Sequence, residues 1–139
     1  MLTRALFVFA VICGMASPVS AEETKVLALG LADHAVTEEE LAKGHTPPVP
    51  RFNSPGVAYV LVSNLKKGDV VEIALAKDRK RLMHNAETLA EDQAQLLLQA
   101  GKQAVPAGGW PEGEYQASVK VTRDGKPILE QSSQPVPFE

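Results

Sequence analysis

Residues 114–122 carry the clearest pattern in the chain. Tyr115, Ala117, Val119 and Val121 alternate with Gln116, Ser118, Lys120 and Thr122. A period of two puts one set on a buried face and the other in water, the signature of a strand in a half-solvated sheet. Asp124-Gly125 follows, the strongest short hairpin signal. Residues 127–138 then supply the returning strand, with Pro135 and Pro137 marking an edge or an end.

The same reading runs upstream. Residues 24–32 are apolar and suit a first strand buried on much of both sides. Thr37 stands three residues before Glu40, a capping-box spacing, and Gly44 is a natural stop, so a short helix is expected near 37–43. Residues 45–55 hold four prolines and form an extended loop. Residues 56–65, rich in β-branched and aromatic side chains, read as a strand. Lys66-Lys67-Gly68-Asp69 is a turn. Residues 70–77 form the next strand with Val71, Ile73 and Leu75 on one face, and Asp78-Arg79-Lys80 is a hairpin turn. Residues 81–90 read as a strand with a ragged pattern. Residues 87–99 are rich in Leu, Gln and Ala, which favour a helix. The hairpin strands on either side favour a strand over 94–100 instead. Residues 101–111 are a Gly/Pro-rich loop. The expected architecture is all-β: an immunoglobulin-like antiparallel sandwich of about seven strands, with one short helix near 37–43.

Two local features carry a resemblance. Gly113-x-Tyr115 at the head of an alternating strand resembles the tyrosine corner of immunoglobulin-like domains. Gly109-Trp110-Pro111-Glu112-Gly113-Glu114-Tyr115 followed by Asp124-Gly125-Lys126 resembles a pattern recurrent in small exported bacterial domains of an uncharacterised family. Phe52-x-x-Pro55 ahead of the strand carrying Tyr59 fits the same pattern, so the resemblance spans residues 52–138. It implies an immunoglobulin-like sandwich in an exported protein and carries over no catalytic residue. Tyr115 and Gly113 are the structural corner it implies.

The N-terminal segment changes the picture of where the chain works. Arg4 precedes an apolar run over 5–16, and Val19 and Ala21 are small or slim residues at the positions a signal peptidase reads. Cleavage after Ala21 is expected, leaving one domain over 22–139 in the periplasm or secreted. The apolar run is shorter than the roughly 20 residues of a spanning helix, so no stable membrane anchor is expected after cleavage. Cys13 is the only cysteine and leaves with this segment, so the mature domain has no disulfide and rests on its hydrophobic core. Arg4 leaves too, which moves the formal net charge from −3 to −4. That balance does not suit nucleic acid, which wants a strongly basic face.

Candidate chemistry is sparse. Trp110, the only tryptophan, is either an exposed aromatic platform or a plug at the end of the sandwich; the flanking glycines favour the plug. Arg79, Lys80 and Arg81 form the densest basic cluster and are binding candidates for an anionic partner, against the plainer reading of a solvated hairpin tip. His34, His45 and His84 match no metal-ligand spacing, and Met83-His84 point to opposite faces of a strand. Glu38-Glu39-Glu40 reads as a solvated helix start. The mature chain offers no cysteine nucleophile, no Gly-x-Ser-x-Gly elbow and no carboxylate pair that stands out. No catalytic residue, metal ligand or cofactor is therefore assigned. The expected function is a non-enzymatic interaction module of the bacterial envelope, its partner another envelope protein. The alternative is a periplasmic binder of a carbohydrate or copper. The sequence sets no oligomeric state.

Overall fold

The computed structural model describes residues 23–102 and 104–139; the expected leader lies outside them. The elements are β1 (Lys25–Ala32), α1 (Glu38–Ala42), β2 (Gly56–Leu65), β3 (Val70–Lys77), β4 (Lys80–Thr88), β5 (Gln93–Lys102), β6 (Glu114–Arg123), β7 (Lys126–Ser132) and β8 (Val136–Pro137). They build two antiparallel sheets, ordered β1-β2-β5 and β4-β3-β6-β7, with β8 beside the start of β6. Consecutive strands cross from sheet to sheet between β2 and β3, β4 and β5, and β5 and β6. This is an immunoglobulin-like sandwich in which β4 extends the sheet of β3, β6 and β7.

The core follows from the alternation. Val71, Ile73 and Leu75 of β3 and Tyr115, Ala117, Val119 and Val121 of β6 face inward, against Val60 and Val62 of β2 and Leu98 of β5. β5 is a strand along its whole length because β2 pairs with it from Gly56↔Lys102 to Leu65↔Gln93. That ladder overrides the helix-favouring composition of 87–99.

Two expectations need adjusting, and a third gains its physical cause. β1 is an edge strand: only Leu31 and Ala32 are buried, and Leu27, at a bulge in its pairing with β2, is 47% exposed. The ragged pattern of β4 also has a bulge as its cause. The register steps between Leu75↔Met83 and Ala76↔Arg81, so Leu82 is an extra residue that flips the alternation. Residues 127–138 are two strands. Ser133 breaks them, its hydroxyl oxygen accepting from Ala117 N–H at 2.8 Å while its own N–H donates to the Ala117 carbonyl at 2.8 Å. The chain leaves β7 there and rejoins β6 as β8.

Each end of the sandwich has its own lock. At one end Trp110 is buried, its ring edge-on to Tyr115 (5.7 Å) and Phe138 (5.5 Å), while Tyr115 and Phe138 stack at 3.9 Å. Its indole N–H donates to the Ser54 carbonyl at 2.8 Å and its amide to the Phe52 carbonyl at 2.7 Å. Gly56 is glycine because a Cβ there would lie 2.7 Å from the indole ring. The Tyr115 hydroxyl donates to the Pro111 carbonyl, the hydrogen bond of a tyrosine corner. At the other end Asp69 is fully buried and accepts from Arg123 Nε and Nη2, both at 2.8 Å, and from Lys66 N–H at 2.9 Å. Arg123 Nη2 also donates to Thr24 Oγ1 at 2.9 Å, which ties in the start of β1. The Asp69 carbonyl accepts from Leu89 N–H at 2.9 Å, which fastens the chain beyond β4.

Two stability outcomes follow. Trp110→Ala should cost about 3–5 kcal/mol, measured as a lower urea midpoint, because it empties a buried aromatic site; a loss under 1 kcal/mol would mean the cluster is not the end closure. Asp69 is held below its ordinary value of 3.8, first by the Arg123 hydrogen bonds and also by Lys66 N–H, against the opposing effect of burial. Its contribution is full above the unfolded value and disappears as pH falls through the lower folded value. Asp69→Asn should therefore destabilise at pH 7 by about 3 kcal/mol and by much less near pH 2. A penalty independent of pH would show that the charge is not what matters.

Candidate functional site

The β3–β4 hairpin turns through Asp78 and Arg79 alone, both left-handed with φ of 49° and 71°. A two-residue loop with both φ positive is a type I′ turn, whose twist matches that of the strands it joins. Lys80 already belongs to β4 and pairs with Lys77. Asp78 fixes the tip: its carboxylate accepts from Glu114 N–H at 3.0 Å and from Lys77 Nζ at 3.0 Å, and its own N–H donates to the Glu114 carbonyl at 2.8 Å. Those contacts hold its carboxyl below the usual carboxylate range, the Glu114 amide first and Lys77 second. Gly113 sits beside this contact at φ +153°, where a Cβ would lie 2.7 Å from the Lys77 side chain and 2.8 Å from the Asp78 carboxylate.

Arg79 and Arg81 open onto the outer face of the sheet ordered β4-β3-β6-β7. There Ala74 and Ala76 of β3, Ser118 of β6 and Ser132 of β7 form a floor of small side chains, enclosing a shallow concavity of about 290 Å³. Ala74 is only 8% exposed although it alternates with the core residues Ile73 and Leu75. One step along the strands, Glu72, Lys120 and Glu130 are register neighbours across β3, β6 and β7. The concavity thus has a basic end at Arg79 and Arg81 and a mixed, net acidic end at Glu72, Lys120 and Glu130. Among the described residues neither arginine enters an ion pair, whereas Lys77 and Arg123 do.

The basic candidates divide accordingly. Arg79 and Arg81 line one concavity; Lys80 does not. Trp110, the other binding candidate, is enclosed by Tyr115 and Phe138 and presents no aromatic platform to solvent. The floor residues were missed by sequence reasoning. Their signal was the outward half of each alternation, where small side chains stand at 74, 76 and 118.

Comparison of the chain with protein-family models, with curated proteins and with solved structures finds no match.

The histidines lie on separate parts of the molecule. His45 and His84 are exposed, and Met83 packs toward the core while His84 faces out. Among the described residues no group of three or more His, Cys, Asp or Glu side chains is arranged to hold a metal ion. His34 has a structural setting: its ring lies 2.7 Å from Asp33 Oδ1 through Nδ1 and 2.8 Å from Glu40 Oε2 through Nε2. Thr37 caps α1 by accepting from Glu40 N–H at 3.1 Å, and the Glu40 carboxylate turns to His34. Beside it the Gln99 side chain grips both backbone groups of Val36, at 2.8 and 3.0 Å. The segment from Asp33 to Ala42 is thereby strapped over Tyr59 on the outer face of the first sheet.

The Asp33 hydrogen bond first, and the Glu40 hydrogen bond second, raise the His34 pKa above 6.5, against a small opposing effect of burial. The stabilisation this represents is complete below 6.5 and is lost as pH rises through the higher folded value. Amide-exchange protection of Leu41 and Lys43, corrected for intrinsic rate and referenced to Ile73, should therefore fall between pH 6 and pH 8.5. His34→Gln should flatten that profile; a wild-type ratio that stays constant over the range would sink the assignment.

Proposed function

We propose that the mature chain is an exported, non-enzymatic interaction module whose docking surface is the outer face of the β4-β3-β6-β7 sheet. The observation that carries this reading is the concavity over Ala74, Ala76, Ser118 and Ser132, edged by two arginines that have no acidic partner among the described residues. A small-residue floor lets a partner approach the sheet closely, and unpaired cations at its margin give orientation. Binding fits better than catalysis because the carboxylates and imidazole with shifted pKa values, Asp69, Asp78 and His34, are each engaged in fastening backbone or side chains of this chain. The leader-like residues 1–21 support a periplasmic or secreted module, and with it a partner among the envelope proteins.

A photo-crosslinking residue placed at Ser118 in the full chain, expressed in its own envelope, tests the docking face. Discrete adducts from Ser118 and none from Gln95, on the outer face of the other sheet, are expected. Equal yields at both positions, or none at Ser118, would remove this face as the docking surface.

A further inference from the structure

The molecule contains two hairpins of the same design. Asp78-Arg79 and Asp124-Gly125 are both two-residue loops with both φ values positive, 49° and 71° in one and 53° and 78° in the other. The second completes the turn with glycine, the residue that tolerates left-handed backbone without strain. The first completes it with a long cationic side chain, for which that backbone costs free energy. Arg79 makes no ion pair or side-chain hydrogen bond with a described residue, so the turn is held by the Asp78 contacts and the arginine side chain itself offsets none of the cost. Its side chain lines the basic end of the outer-face concavity together with Arg81.

From this we infer that the concavity takes an extended acidic segment of a partner protein, with one or two carboxylates held by Arg79 and Arg81 and small side chains laid over Ser118 and Ser132. The inference rests on the docking face proposed above. Three features select this occupant. Two guanidiniums at one end match carboxylates in charge and hydrogen-bonding geometry. The hydroxyls of Ser118 and Ser132 beside Ala74 and Ala76 accommodate a narrow, partly polar chain. Glu72 and Glu130, flanking Lys120, set a limit at the far end. A long polyanion would meet like charge there, whereas a segment acidic at one end only would not. A flat bilayer cannot follow the floor of a concavity, which disfavours lipid headgroups as the occupant.

The probe is a blocked hexapeptide of two glutamates followed by Ser, Ala, Ser and Thr, titrated into the isotopically labelled mature chain. The control is the same peptide with both glutamates replaced by glutamine. Chemical-shift changes are expected at Ala74, Ala76, Arg79, Arg81, Ser118 and Ser132. Affinity should fall about five-fold with Arg79→Gly and again with Arg81→Ser, as for exposed ion pairs, and fall further on raising salt. Arg79→Gly should also raise the urea midpoint, so lost binding with gained stability separates a ligand role from a structural one. Equal binding of the glutamine peptide, shifts elsewhere, or affinity unchanged in both variants would overturn the inference. So would capture by phosphatidylglycerol vesicles through the same arginines with no response to the peptide. Crosslinks from Ser118 without peptide binding would overturn the acidic segment and leave the docking face standing. Peptide binding without crosslinks would leave the concavity as a site for an acidic segment and overturn only the reading that an envelope protein docks there.

Discussion

Enclosure of Trp110 is the contact on which the rest of the sandwich depends. Three stretches of chain meet on Trp110. The Ser54 carbonyl takes its indole N–H and the Phe52 carbonyl its backbone amide, Gly56 makes room for the ring, Tyr115 packs against it in a T-shaped contact, and Phe138 closes from the C-terminus. An aromatic side chain of this size buries about 150–250 Å², a stabilisation of roughly 4–6 kcal/mol by area. That is comparable with or larger than the typical contribution of a disulfide, about 2–4 kcal/mol. With Cys13 inside the expected leader, an aromatic closure of the sandwich end stands where a small exported domain would often use a covalent one.

β6 is gripped at both ends by different chemistry. Tyr115 near its start is in the aromatic cluster; Arg123 at its end is bidentate to buried Asp69. A buried carboxylate is tolerated only when its lone pairs are used. Here two guanidinium N–H groups and the Lys66 amide use them. The apolar lock supplies most of the driving force. The ionic lock supplies register, because a guanidinium fork can meet a carboxylate in few positions. Shifting β6 by one residue would both break that fork and turn Val119 and Val121 to the outer face.

Much of this was legible in the chain. The alternation over β6, the Asp124-Gly125 hairpin, the Thr37 cap and the strand boundaries around 56–77 are local signals, and local signals survive folding. The Trp110 corner was legible for the same reason, since Gly, Trp, Pro and Tyr at that spacing leave few ways to fold back. β5 was ambiguous because Leu, Gln and Ala favour a helix in isolation and only the ladder with β2 decides the matter. Asp69 read as one turn residue among four, and nothing near it in sequence announces Arg123, fifty-four positions away. The outer-face concavity was legible only in fragments on the same grounds, as small residues at the outward positions 74, 76 and 118. Its floor is assembled from β3, β6 and β7, and a surface that exists only through sheet order leaves no contiguous trace.

The corner and the candidate site are mechanically one object. Glu114 stands between Gly113 and Tyr115, and its backbone N–H and carbonyl are both taken by Asp78, the residue before Arg79. The aromatic cluster fixes Tyr115, Tyr115 fixes the backbone of Glu114, and Glu114 fixes the hairpin tip that carries the basic end of the concavity. Glycine at 113 is required in this chain of contacts, since any side chain there would push Lys77 and Asp78 aside and with them the tip. The Gly-Trp-Pro and Gly-x-Tyr signature is therefore architectural in what it touches. Through Asp78 it also sets where Arg79 stands, which is how a motif with no chemistry of its own positions the proposed docking surface.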